Sequence, residues 1–246
     1  MKKTILLSSF LLALLSADAQ GLKGLLKKDS SGKTGLGKIV NTNSKSGLSN
    51  DDIISGLKEA LSVGTNNASR QLSSVDGFFK DAAIKILMPE EAKKVESKLR
   101  SLGMGKQVDN AILSMNRAAE DASKEVAPIF MNAIKGMSIG DGLGILQGGD
   151  FAATHYLKDK TTASLTEKFR PIIEASLQKV DATKHWNAVF TTYNKFSSEK
   201  VNTDLVAYVT EKALAGLFHQ VGLEEQKIRK DPFARTTDLL KKVFAN

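Results

Sequence analysis

The chain has 246 residues, 41% of them hydrophobic and 25% charged, and carries a formal net charge of +8. Such a composition is that of a globular protein and excludes disorder of the whole chain. The absence of cysteine excludes a disulfide, a thiol nucleophile, a thiolate metal site and the acylated cysteine of a lipoprotein.

Residues 1–19 read as a cleaved export signal. Lys2 and Lys3 form the positive start, residues 5–15 are apolar apart from Ser8 and Ser9, and Ala17-Asp18-Ala19 is a small-x-small cleavage pattern that leaves Gln20 first. The apolar run is too short for the about 20 residues a bilayer span needs. The expected location is therefore the periplasm, with cleavage after Ala19 and no lipid tether.

Residues 20–48 read as a flexible linker rich in Gly, Ser and Asn. Its lysines (Lys23, Lys27, Lys28, Lys33, Lys38 and Lys45) face the single acid Asp29, so most of the basic excess sits here. Leu22, Leu25 and Leu26 offer one amphipathic turn for weak membrane-surface contact through residues 20–47. One turn is not stable alone, so an unstructured leader is the preferred reading. The remaining body is nearly balanced in charge, which argues against nucleic acid as a partner.

From residue 49 to 246 the pattern predicts a single all-α domain, a multi-helix bundle of eight to eleven helices, with no run of alternation long enough for a strand. Ser49 or Asn50 caps a first helix with Asp51 and Asp52 in its first turn and Ile53, Leu57, Ala60 and Leu61 on its apolar face. Pro89 opens a second helix, which Gly103 ends. The longest helix is expected near residues 106–136, as the central axis. Its buried stripe runs Val108, Ile112, Met115, Ala119, Ala122, Val126, Ile129 and Ala133, and Pro128 kinks it. Ser138 and Asp141 resemble a capping box for a short helix to Gln147. Asp150 is read as the cap of a helix over 151–158, and Thr161 or Thr162 as the cap of another through Val180, kinked or restarted at Pro171. Further helices are expected over 185–196, 203–221 and 233–244, the last opened by Pro232.

Motifs for chemistry are sparse. His155, His185 and His219 lack the spacing of a zincin helix, so no metal is expected and nothing calls for a cofactor. The glycines of 140–144 lack the strand and lysine of a phosphate loop and read as close helix packing. Trp186, Phe190, Tyr193 and Phe196 form a stripe at helical spacing, read as core rather than a sugar platform. Asn116, Arg117, Glu120 and Asp121 cluster within one and a half turns, with Asn116–Glu120 and Arg117–Asp121 at i,i+4. They fit either a polar network that fixes helix register or a patch with Glu120 as acid/base and Arg117 as anion anchor; the network is preferred. Arg229 and Arg235, near Glu224, Glu225 and Asp231, are expected to clamp carboxylates of neighbouring helices.

Several strings taken together carry a resemblance: Gly56-Leu57-Lys58-Glu59-Ala60-Leu61, Asn116-Arg117-Ala118-Ala119-Glu120, Pro128-Ile129-Phe130, Ile145-Leu146-Gln147-Gly148, Phe169-Arg170-Pro171 and Ile228-Arg229-Lys230-Asp231-Pro232. With Ala152-Ala153-Thr154 and the C-terminal Leu239-Leu240-Lys241-Lys242-Val243-Phe244, they resemble the bacterial family catalogued as domain of unknown function 4197, from about Ser49 onward. The resemblance implies a Gram-negative, exported protein and brings no activity with it, because none is established for the family. It draws attention to Asn116, Arg117, Glu120, Asp141, Thr154, Arg229 and Arg235. This chain has Asp141-Gly142 where the family pattern has Asp-Ala.

Two functions follow as expectations. The first is a non-enzymatic protein that binds an envelope protein or a small ligand in a groove among its helices. The second is a cell-envelope enzyme using a Glu120/Asp141 carboxylate pair with Arg117. Glycoside hydrolysis, for one, needs its carboxyls roughly 5–9 Å apart across an open cleft.

Overall fold

Ser49 begins the first helix with a full capping box: its Oγ accepts from the Asp52 amide at 3.1 Å, and the Asp52 carboxylate accepts from the Ser49 amide at 3.1 Å. The structure is a computed structural model that describes residues 49–244 apart from Ser197, Glu199 and Thr236. The expected signal and basic linker lie outside the described residues. Within them the chain forms nine α-helices and no strand: α1 (Asn50–Leu72), α2 (Lys93–Ser101), α3 (Gly105–Ala122), α4 (Val126–Lys135), α5 (Ile139–Gln147), α6 (Ala152–Gln178), α7 (Ala182–Phe196), α8 (Leu205–Lys230) and α9 (Asp238–Val243). Among the described residues no helix is long and apolar enough to cross a membrane.

The axis of the bundle is the pair α6 and α8, 27 and 26 residues long, with α1 against α8 and α3 against α6. The expected long helix over 106–136 is instead two helices, α3 and α4, joined by a 3-10 turn at Ser123–Glu125. Pro128 explains the placement. It falls in the first turn of α4, where a missing N–H costs nothing, and its ring disfavours an α-helical carbonyl four residues earlier. The stripe also shifts: Val126 is buried, but beyond it Phe130 and Ile134 are buried in place of Ile129 and Ala133. On α1 the face is set by Ile54, with Ile53 only half-buried.

Residues 152–178 form one helix, not two. Thr161 and Thr162 do not cap anything; their hydroxyls donate back to the Leu157 and Lys158 carbonyls at 2.6 Å. Pro171 sits inside α6 on an exposed face, where water can take the carbonyl that lost its donor. Asp150 does not cap α6 either; the helix begins after Phe151 with no local side-chain cap. At the C-terminus α8 runs past Val221 to Lys230, and Pro232 opens a 3-10 turn (Pro232–Ala234) ahead of the short α9. The core joins all the long helices around Phe78, Phe130 and Phe169, each wholly buried. Burial of each such ring stabilises by about 1.5–3 kcal/mol. Gly142 allows α5 to lie on α1, since a Cβ there would stand 2.2 Å from the Ile54 Cδ1.

Candidate functional site

The polar cluster on α3 serves the segment that follows α1. That segment turns tightly: Asp76 has φ 69°, and a Cβ on Gly77 would meet the Gln71 carbonyl oxygen at 2.3 Å. Glu120, buried, accepts from the amides of Phe78 (3.1 Å) and Phe79 (3.2 Å) through Oε1. Its Oε2 accepts from Arg117 at 2.5 Å, and Arg117 reaches on to Asp76 at 2.6 Å. Asn116, fully buried, accepts from the Ile86 amide at 2.9 Å and donates to the Ile86 carbonyl at 2.8 Å. A side chain that pairs both backbone groups of one residue in this way replaces a missing secondary-structure ladder. The hydrogen bonds to Lys80 and then Arg117 hold the Asp76 carboxyl below its ordinary range. Those to Glu120 and then Asp76 raise Arg117 further above its own. The expected i,i+4 pairs are not made. Arg117 turns to Asp76 and Glu120, and Asp121 instead holds Lys124 and Ser176, at 2.8 and 2.9 Å.

A second cluster ties three helices at the start of α6. Glu225 of α8 accepts from the amides of Ala153 (3.0 Å) and Thr154 (2.8 Å) and from the Thr154 hydroxyl (2.7 Å). It thus caps α6 from another helix, where the dipole favours an anion. Arg229 completes the site, donating to Glu225 at 2.9 Å and to the Ile145 carbonyl of α5 at 2.9 Å. Arg235 does not clamp a carboxylate. It donates to the Ile228 and Arg229 carbonyls at 3.0 and 2.9 Å and closes the end of α8. Asp141 is the capping-box acid of α5, accepting from the Ser138 amide and hydroxyl at 2.9 and 2.7 Å. Those bonds hold its carboxyl below the ordinary range. Asp141 also borders a cavity of about 330 Å³ with Tyr156 and Lys160.

These seven residues therefore separate into four places: Asn116, Arg117 and Glu120 under the 76–86 segment; Thr154 and Arg229 on Glu225; Asp141 at the start of α5; and Arg235 at the end of α8. Glu120 and Asp141 share no hydrogen-bond partner, and both Glu120 oxygens are engaged by donors. Among the described residues no three His, Asp or Glu side chains are grouped to hold a metal ion.

A large apolar opening lies elsewhere. α2 and α3 form a hairpin that turns at Gly103 (φ 78°) and is tied by Arg100, which donates to Glu96 at 2.9 Å and to Asp109 at 2.8 Å. Between this hairpin and α7 runs a groove of about 690 Å³. Val95 and Leu99 of α2, Ala111 and Met115 of α3, and Val189 and Phe190 of α7 are among its walls. No residue of α2 is fully buried. The groove edges keep Met104 and Val180 exposed, with Val180 at 54%. Trp186 is the sole tryptophan. Its ring lies tilted against that of Phe190, centroids 4.3 Å apart, and its Nε1–H donates to the Asn202 carbonyl at 3.1 Å. Trp186 and Phe190 are buried, as the aromatic stripe led one to expect, and their outer edges also form the groove wall. Val108 and Met115 of the wall belong to the stripe expected on α3, whereas nothing in the sequence singles out the α2 wall. Its only local signal is Val95 and Leu99 at i,i+4 on an otherwise charged helix.

Met88 and Trp186 also border a second cavity, of about 700 Å³, between the 83–91 segment and α8. Here Tyr208 donates its hydroxyl to the Leu87 carbonyl at 2.8 Å. Burial, followed by the charges of Glu91, Glu211 and Glu90, pushes the Tyr208 hydroxyl up to about 12.

The model of the family described as "Protein of unknown function (DUF4197)" matches residues 47–245. No curated protein and no solved structure matches the chain.

Proposed function

The chain belongs to the family described as Protein of unknown function (DUF4197), and from that premise we propose that it is a non-enzymatic binding protein of the Gram-negative periplasm. Its ligand is apolar and lies in the groove between α2, α3 and α7. The observation that carries this reading is the groove itself. Its volume falls within the roughly 300–1,000 Å³ of small-molecule sites, and its lining is mostly hydrocarbon with a few polar side chains, Glu96, Gln107, Asn110, Ser114 and His185. A fully desolvated apolar chain gains about 0.8 kcal/mol per methylene, so such a site needs no charged anchor. The placement of the carboxylates also supports binding over catalysis, because Glu120 is taken up by backbone amides and Arg117. The signal-like residues 1–19 support the periplasm.

Trp186 reports on the site without a label. Mature protein (residues 20–246) titrated with the neutral fluorophore N-phenyl-1-naphthylamine is expected to show saturable one-site binding with quenching of Trp186. Ala111→Phe, which fills the middle of the groove, should weaken binding about tenfold or more and leave the fold intact. Absence of saturable binding, or an unchanged affinity in Ala111→Phe, would sink the reading.

A further inference from the structure

The apolar groove and the cavity beside α8 adjoin across the side chains of Met88 and Trp186, which line both. Their chemistry differs. The first is walled mostly by aliphatic and aromatic side chains. The second carries Lys85 and Lys212 together with Glu90, Glu91 and Glu211. Lys212 is 5.7 Å from the ring of Tyr208, which itself lines this cavity, whereas the Lys85 ammonium lies over the Phe79 ring at 3.9 Å. The acids stand close enough to Tyr208 for their charge to be felt at its hydroxyl. The Tyr208–Leu87 hydrogen bond holds the 83–91 segment against α8 and so keeps the two chambers side by side.

We infer that the two cavities form one bipartite site for a single-chain zwitterionic amphiphile, a lysophospholipid, with its acyl chain in the α2/α3/α7 groove and its headgroup beside α8. This inference rests on the proposed apolar-ligand function and names its ligand class. The charge pattern makes the choice. A fatty acid would bring an anion to a cavity whose three carboxylates outnumber its two lysines, one of the three, Glu90, being already paired with Lys93 at 2.7 Å, and an alkanol would bring no group for Lys212, Glu91 or Glu211. A phosphate with a tethered ammonium matches both signs at once: the phosphate oxygens accept from Lys212, and the ammonium lies beside Glu91 and Glu211. Bonds between charged groups of this kind are each worth about tenfold in affinity.

The test compares three ligands of equal chain length on the mature chain: dodecanoyl lysophosphatidylcholine and dodecanoate below their critical micelle concentrations, and 1-dodecanol below its solubility limit. Displacement of N-phenyl-1-naphthylamine and Trp186 emission are the readouts. The expected result is that the lysolipid binds about tenfold or more tightly than either competitor. Lys212→Ala and Glu211→Gln, both at exposed positions, should reduce that preference and leave dodecanol unaffected. Equal affinities for the three ligands, tightest binding of dodecanoate, or an undiminished preference in both variants overturns the headgroup assignment while the apolar groove stands. If the fluorophore itself fails to bind in saturable fashion, the apolar-ligand function falls, and this inference with it.

Discussion

Around α1, α6 and α8 the protein buries charge, whereas around α2 and α7 it exposes hydrocarbon. In the first region Glu224 and Glu225 are under one-tenth exposed, and each is met by donors from neighbouring elements, Asn67 for one and Ala153 and Thr154 for the other. In the second, Val180 and Val189 face outward and α2 has no fully buried residue. The difference separates two kinds of specificity. A buried, fully partnered charge has one geometry that satisfies it, so it fixes how helices meet. An exposed apolar groove has no preferred partner within the molecule, and its hydrophobic gain remains open to a ligand.

The contrast is tested hardest at Glu225. Glu225→Ala leaves two α6 amides and the Arg229 guanidinium without their acceptor, and unfolding in urea should show a loss of about 3–5 kcal/mol. A loss no larger than that of a surface substitution would break the comparison. Asn116→Ala is the next largest: it strands the Ile86 amide and carbonyl at a buried position, and about 2–3 kcal/mol should be lost. Because Ile86 belongs to the segment that walls the polar cavity, this variant should also loosen the second chamber, visible as faster hydrogen exchange over 78–88.

What could be read from the sequence divides along the same line. Local grammar was legible: the Ser49–Asp52 and Ser138–Asp141 caps, Pro89 ahead of α2, and Gly103 at its end all rest on neighbours within a few positions. The all-helical class and the family followed from periodicity and from the order of short strings. Partners distant in sequence were not legible. Arg117 pairs with Asp76, 41 residues away, and Thr154 with Glu225, 71 away; spacing along a helix suggested nearer acids for Arg117 and none for Thr154. The continuity of α6 was missed for a related reason, since Thr161, Thr162 and Pro171 are local signals for a boundary that tertiary packing overrides. The groove was least legible of all. It is formed by the space between α7 and the α2–α3 hairpin, and no residue type encodes a gap.

The hairpin side should respond weakly to truncation. Leu99→Ala removes a half-buried side chain whose far side already faces the groove, so a cost of about 1 kcal/mol is expected, below the range for a closed core. Native-state hydrogen exchange should show α2 amides opening well before those of α8. Equal protection of the two helices would remove the distinction between a fixed core and an adaptable wall.

The smallest effect sharpens the comparison at its border. Asp76 closes the exposed end of the Glu120–Arg117 network, and its carboxyl is held low by Lys80 and Arg117. A depressed carboxyl stabilises the fold above its unfolded pKa, about 3.9, and that contribution fades as pH falls through the lower folded value. Asp76→Asn removes the charge yet keeps a residue type that tolerates the left-handed backbone found there. The variant should therefore melt slightly below wild type at pH 7, and the gap should close as both are acidified below about pH 4. A gap that persists at acid pH would mean that Asp76 acts through shape, as Asn116 does, and not through charge. The gap should stay small at every pH, because solvent screens Asp76 where it does not screen Glu225.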